Sequence, residues 1–110
     1  MTYLPLDDDN NPIPAMRPKS GAAHKITVTS TAARNSTGFN ADTRVISVYA
    51  TGAVFLKFGD NTVTATSSDH YFPSGVYYDF AIGGGKTGQA THVSVIRESS
   101  DCSVYISEKE

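Results

Sequence analysis

The chain has 110 residues and a mass of 11.7 kDa, room for one domain, and its 39% hydrophobic content supports a modest core. Nine Val and six Ile stand against three Leu and three Glu, with twelve Ser and twelve Thr, a balance that predicts an all-β fold and excludes a helical bundle. The net charge is −2 and the basic residues are scattered, which excludes a general nucleic-acid binder with its clustered basic face.

No apolar run approaches the roughly 20 residues of a membrane span. The start, Met1-Thr2-Tyr3-Leu4-Pro5-Leu6 followed by Asp7-Asp8-Asp9, lacks the form of a signal peptide. Cys102 is the single cysteine, so an intrachain disulfide and a cysteine-type zinc site are both excluded, and folding in a reducing cytoplasm is expected.

Residues 1–20 hold four of the five prolines, Pro5, Pro12, Pro14 and Pro18, and so predict neither a helix nor a central strand. Yet Tyr3, Leu4, Leu6, Ile13, Ala15 and Met16 are more apolar than a solvated tail requires. The reading is an extended arm over 1–20, with Tyr3, Leu4, Pro5, Leu6, Ile13 and Met16 laid on a neighbouring surface, ahead of a β-sandwich domain over 21–110. Period-two alternation starts at Lys25, where Ile26 and Val28 alternate with threonines. Ala32 to Asp42 reads as a long loop. Arg44 to Ala50 and Ala53 to Phe58 read as strands joined at Thr51-Gly52 into a hairpin.

Thr62 to Thr66 is expected as a short threonine-rich strand and His70 to Phe72 as another, ended by Pro73. Val76 to Ile82 follows, with Val76, Tyr78, Phe80 and Ile82 on one face. Gly83-Gly84-Gly85 opens a flexible hairpin loop, and Thr91 to Glu98 and Ser103 to Ser107 close the chain. Seven or eight short strands bounded by turn residues predict a single small antiparallel β-sandwich or a jelly-roll-like barrel.

Chemical motifs are weak throughout. Gly85-Lys86-Thr87 resembles the end of a phosphate loop, but the first glycine of that loop would fall on Phe80 and no helix follows. His24, His70 and His92 lie in three segments without ligand spacing, and Asp7 to Asp9 lack the glycine and glutamate of a calcium loop. Asp79 and Glu98 are the main carboxylates expected on strands, too few for a paired-acid site. Asp101 beside Cys102 is expected to raise the thiol pKa rather than activate it. Asn35-Ser36-Thr37 fits a glycosylation acceptor, which carries no weight without a secretory signal. The expectation is a non-enzyme with no catalytic, cofactor or metal residues.

Aromatic residues are more informative. Tyr71, Phe72, Tyr77 and Tyr78 crowd around the Pro73-Ser74-Gly75 turn, with Tyr77 and Tyr78 on opposite faces, and are read as interface residues.

The run Arg44-Val45-Ile46-Ser47-Val48-Tyr49-Ala50-Thr51-Gly52, continuing through Val54-Phe55-Leu56-Lys57-Phe58-Gly59-Asp60, resembles small virion proteins of tailed phages and gene transfer agents. So do Ala65-Thr66-Ser67-Ser68-Asp69 and Phe72-Pro73-Ser74-Gly75-Val76. The opening Tyr3-Leu4-Pro5-Leu6, with Pro12-Ile13-Pro14-Ala15, is similar to the extended start of gene transfer agent head-spike base proteins. The resemblance spans most of residues 1–82. It implies a virion structural protein on the particle surface, made in the host bacterial cytoplasm. Such a spike-base or decoration component forms a homo-oligomer and meets other virion proteins such as the capsid or a spike fibre, with no membrane and no nucleic acid as partner. Two alternatives stay open: a tail adaptor or fibre-attachment protein, and a carbohydrate- or receptor-binding module using the aromatics near Tyr71 to Tyr78.

Overall fold

A computed structural model describes residues 8–11, 16–84 and 88–110. Eight strands form: β1 (Pro18–Val28), β2 (Ala33–Arg34), β3 (Val45–Ala50), β4 (Val54–Gly59), β5 (His70–Phe72), β6 (Tyr77–Ala81), β7 (His92–Arg97) and β8 (Cys102–Lys109). They make two antiparallel four-stranded sheets, β1-β8-β3-β6 and β2-β7-β4-β5, stacked as a sandwich. The expected all-β sandwich is the observed fold.

The pairing is nested: β1 with β8, β2 with β7, β3 with β6, β4 with β5. A long ribbon of paired strands thus folds over on itself, adding β3–β8 and β4–β7 contacts, which is jelly-roll topology. Alternation decides which side chains fill the space between the sheets. Ile26 and Val28 of β1, Ile46, Val48 and Ala50 of β3, and Val104 and Ile106 of β8 meet Val54, Leu56, Phe72, Val93 and Val95 of the other sheet. Each fully buried Val, Leu or Ile contributes about 1.5–3 kcal/mol relative to exposure.

Four expectations are corrected. First, β3 and β4 are not a hairpin, because they lie in different sheets. Thr51-Gly52-Ala53 is an arch between the layers: the Thr51 N–H donates to the Ser103 carbonyl and Ala53 accepts from the Glu98 N–H. A Cβ on Gly52 would sit 2.8 Å from the Cβ of Cys102, so the arch needs glycine to come this close to β8. Second, the segment from Gly83 to Ala90 is no hairpin loop either, since β6 and β7 also belong to different sheets. Third, Thr62 to Thr66 makes no strand; Val63 and Ala65 are buried, and the Ala65 N–H is taken by the Ser94 hydroxyl at 2.9 Å instead of a ladder. Fourth, the expected loop from Ala32 to Asp42 contains β2, which pairs with β7 at Val95 and Ser94.

Strand β1 also starts at Pro18, ahead of Lys25, with a register shift against β8 between Pro18 and Ala23 and Gly21 at φ 74°. Proline is tolerated there because β1 is an edge strand and Pro18 is its first residue.

One inward position is not apolar. On β8, Val104, Ile106 and Glu108 share a face, so Glu108 enters the end of the core and is 1% exposed. It accepts hydrogen bonds from Thr43 Oγ1 at 2.5 Å, the Asn40 N–H at 2.8 Å and His24 Nε2 at 2.8 Å. Burial alone raises its pKa, but the bonds from Thr43, His24 and Asn40 outweigh burial and hold the carboxyl below its ordinary value of 4.5. A carboxyl lowered in the fold stabilises it fully above about 4.5, and that stabilisation is lost as pH falls through the folded value. The Glu108→Gln protein is expected to lose about 1–3 kcal/mol in denaturant unfolding at pH 7. Its stability should also decline less steeply than the wild type's below pH 4.5, with Asp42, Asp60 and Asp69 supplying the remaining slope. Identical acid slopes for the two proteins would show that Glu108 is not the linked group.

Candidate functional site

Rolling the ribbon places β5 and β6 at the same side of the sandwich, each an edge of its sheet. The Pro73–Val76 turn joins them, and Gly75 at φ 76° donates its N–H to the Ala50 carbonyl. Because the two edges belong to different layers, nothing closes the gap between them along this side among the described residues. The core surfaces there as aromatic rings. Phe80 stands at the centre, with ring centroids 5.0 Å from Tyr78, 5.5 Å from Phe58 and 5.8 Å from Phe72.

Two adjoining hollows of about 340 and 330 Å3 share Tyr71, Phe72 and Phe80. Leu56, Phe58 and His70 complete one; Pro73, Val76 and Tyr78 complete the other. Apart from the His70 imidazole and the Tyr71 and Tyr78 phenols, these side chains are apolar. Such a surface removes apolar groups of a partner from water and holds them by ring packing, with little to position a charged ligand.

The four aromatic residues expected at an interface are placed differently from one another. Phe72 is core, 4% exposed, and forms the floor of the cleft. Tyr78 stands in the cleft with Phe80, 56% exposed. Tyr71 pairs across the strands with Phe55 on the outside of the β2-β7-β4-β5 sheet, ring centroids 5.8 Å apart, and reaches the lip of the cleft. Tyr77 is on the outside of the other sheet, in register with Tyr49. Tyr71 and Tyr77 thus face away from each other. Of the expected arm residues, Tyr3, Leu4, Pro5, Leu6 and Ile13 lie outside the described residues. Met16 is half-buried just before Arg17, whose backbone exchanges two hydrogen bonds of 2.9 Å with Glu110.

A second surface escaped the sequence reading. Tyr77 opposes Tyr49, Tyr49 opposes Tyr105, and Tyr105 opposes Lys25, so one row crosses all four strands on the outer face. The Lys25 and Lys109 ammonium groups lie 5.7 and 5.6 Å from the ring centroids of Tyr105 and Tyr77. In the next row Ser47 donates to Asp79 beside Ser107. Tyr49 and Tyr105 each alternate with buried residues, which marks the outer face locally, whereas Tyr77 stands between exposed Val76 and Tyr78. The meeting of Tyr77, Tyr49 and Tyr105 in one row depends on register, which no local pattern reveals.

The remaining expected features resolve simply. Asn35 is 2% exposed: its amide donates to the Thr37 and Thr91 carbonyls and its oxygen accepts from the Val93 N–H, so folded Asn35 presents no acceptor for a glycan. Cys102 is half-buried, and burial rather than Asp101 is the larger cause of its raised pKa. His24 and His92 are engaged with Glu108 and Thr91 respectively. Among the described residues no three His, Cys, Asp or Glu side chains gather around a point that would hold a metal ion. Lys86 and Thr87 lie outside the described residues, and Gly83 and Gly84 have φ of 85° and 125°, where a side chain would also strike Gly88 or Arg44.

Rings kept for an interface and rings kept for packing differ in what their removal costs. Tyr71→Ser and Tyr78→Ser should each change unfolding free energy by about 1 kcal/mol or less, the value of one exposed ring pair. Phe72→Ala should cost about 3–5 kcal/mol. Thermal and denaturant unfolding of the three variants checks this, and a loss at Tyr78 equal to that at Phe72 would make Tyr78 a core residue.

Compared with family models, curated proteins and solved structures, the chain matches none of them.

Proposed function

We propose that this protein is a non-enzymatic assembly component whose copies join one another, and through one another a larger particle, by the open aromatic side of the sandwich. The observation that carries this reading is the cleft between β5 and β6, where Tyr71, Val76 and Tyr78 are exposed around Phe72 and Phe80. Monomeric proteins rarely leave connected apolar surface of this kind beside an unpaired strand. Its lining suits burial against a protein surface better than capture of a charged substrate. The resemblance of Arg44–Asp60 and Phe72–Val76 to small virion proteins supports the placement: a spike-base or decoration protein on the surface of a phage-like or gene-transfer particle.

Light scattering on the full chain at about 100 µM should return a discrete oligomer, and a monomer at that concentration would end the assembly reading. Removing residues 1–16, which leaves the Arg17–Glu110 bonds intact, asks whether the segment before β1 adds to the contact; a lower mass assigns it an assembly role. For the placement, antibody against the chain should label the surface of particles released by the producing cells. Label confined to the cells would remove the virion role and leave the assembly role standing.

One observation favours a second reading, a carbohydrate-binding module. The row Tyr105–Tyr49–Tyr77, flanked by Lys25 and Lys109 and adjoining Asp79 and Ser107, offers ring faces beside hydrogen-bonding groups, a combination that suits sugar rings. Glycan-array binding that is lost in Tyr49→Ala and Tyr77→Ala and kept in Tyr78→Ala would establish it. An array without signal would dismiss it.

A further inference from the structure

The sandwich has four edges, and they are not alike. The β1 edge carries Pro18, Lys19 and Lys25 and a register shift at Gly21. The β2 edge is two residues long, and β5 is three residues long and stops at Pro73. Proline, lysine, irregular register and shortness are the devices that keep sheet edges from pairing with other chains. Strand β6 has none of them. Its five residues, Tyr77-Tyr78-Asp79-Phe80-Ala81, keep unbroken register with β3 from Tyr77↔Tyr49 to Ala81↔Val45. Its one charge, Asp79, is turned to the outer face and bonded by Ser47.

The direction of the unpaired backbone groups follows from one bond. Ile82 continues the β6 register opposite Arg44 and donates its N–H to the Arg44 carbonyl at 2.9 Å. Along an antiparallel strand, alternate residues turn both backbone groups to the same neighbour. Phe80 and Tyr78 therefore bond to β3, while Tyr77, Asp79 and Ala81 aim N–H and C=O at the open edge.

We infer that β6 is the self-association edge, pairing antiparallel with β6 of a second copy about a two-fold axis at Tyr78 and fusing two sheets into one of eight strands. The inference rests on the assembly reading and specifies its contact. A two-fold axis perpendicular to the sheet keeps faces matched, so the registers available centre on Tyr78, Asp79 or Phe80. Centring on Asp79 would set two carboxylates opposite each other, which is unfavourable. Centring on Phe80 would turn the Asp79 carboxylate toward the partner's Ala81, which offers it nothing.

Centring on Tyr78 sets Tyr77 opposite the partner's Asp79 and Asp79 opposite the partner's Tyr77. Both pairs are then hydrogen-bonded pairs of the new ladder, four backbone bonds in all, and the phenol of each faces a carboxylate. On the cleft side, Tyr78 meets the partner's Tyr78 in a non-hydrogen-bonded pair, the kind with Cα atoms about 4.5 Å apart. Val76 lies opposite the partner's Phe80. The same pairing that satisfies the edge therefore covers the rings exposed in the cleft. Its two-fold symmetry is self-limiting: each copy uses its one open edge once.

The test places single cysteines along β6 in the full chain with Cys102→Ser. Under mild oxidation Tyr78→Cys is expected to give a disulfide-linked dimer, because the two sulfurs meet across the axis, and Asp79→Cys is expected to remain unlinked. Tyr78→Lys sets two like charges on the axis and should halve the mass seen by light scattering without lowering the thermal midpoint appreciably. Linking by Asp79→Cys but not Tyr78→Cys would overturn the register. Should Tyr78→Lys fold and keep the wild-type mass, the edge itself is ruled out while the assembly reading survives. A wild type that is monomeric at the outset would remove both.

Discussion

The buried carboxylate of Glu108 holds one whole end of the molecule. Three donors converge on it from three places: His24 of β1, the Asn40 backbone, and the Thr43 hydroxyl just before β3. The segment these bonds fix is itself the template for others. Gln89 donates its amide to the carbonyls of Asn40 and Thr43, and Arg44 donates to those of Ala41 and Thr43. Lys19 reaches Asp42 across the same segment at 2.6 Å. The β2–β3 connection, with Gln89 bonded to it, is thus held in place through a charge that an apolar core would not keep unless several bonds satisfied it together. The Phe39 ring, 5% exposed, packs edge-on to His24 at 5.3 Å and separates this polar cluster from water.

The same economy does not extend to the side between β5 and β6. No buried side-chain nitrogen or oxygen among the described residues lacks a partner. What the sandwich leaves open there is apolar: Tyr71, Val76 and Tyr78 are all more than a third exposed. Among the described residues the buried side-chain polar atoms are bonded, whereas rings and a regular strand edge on this side, like the Tyr105–Tyr49–Tyr77 row on the outer face, stay in water.

Local pattern was a good guide to faces and a poor guide to partners. His70–Phe72 forms as expected, and the inward residues of β3 and β4 follow their alternation. The hairpin between those strands failed for a reason that alternation cannot reveal. Ile46, Val48 and Ala50 and then Val54 and Leu56 point toward one core whether the chain pairs with itself or arches across to a second sheet. The deciding contact, Gly52 against Cys102, is fifty positions distant in the chain and invisible to any window. β2 was misread because it is only two residues long and gives way at once to Asn35, whose side chain bonds to Val93, and the segment around Val63 because Ser94 bonds to Ala65 in place of a ladder. Glu108 was missed: the last strand was expected to end at Ser107, and only because β8 runs on to Lys109 does Glu108 keep the period-two phase of Val104 and Ile106 and turn inward.

Nested pairing explains why one edge should differ from the rest. A ribbon rolled into two sheets must end with four edge strands, two on each side. On one side β1 runs beside the very short β2, and Pro18, two lysines and a shifted register discourage further pairing. On the other, β5 stops at a proline after three residues, whereas β6 continues regularly into Ile82 and its bond with Arg44. Had the chain needed only to stay monomeric, a single lysine in place of Tyr78 would blunt this edge at little cost to folding, since the side chain stands 56% exposed. The presence there of an exposed ring, packed at a tilt against Phe80 above the core, is more economically explained by a neighbour that covers it than by the demands of the fold.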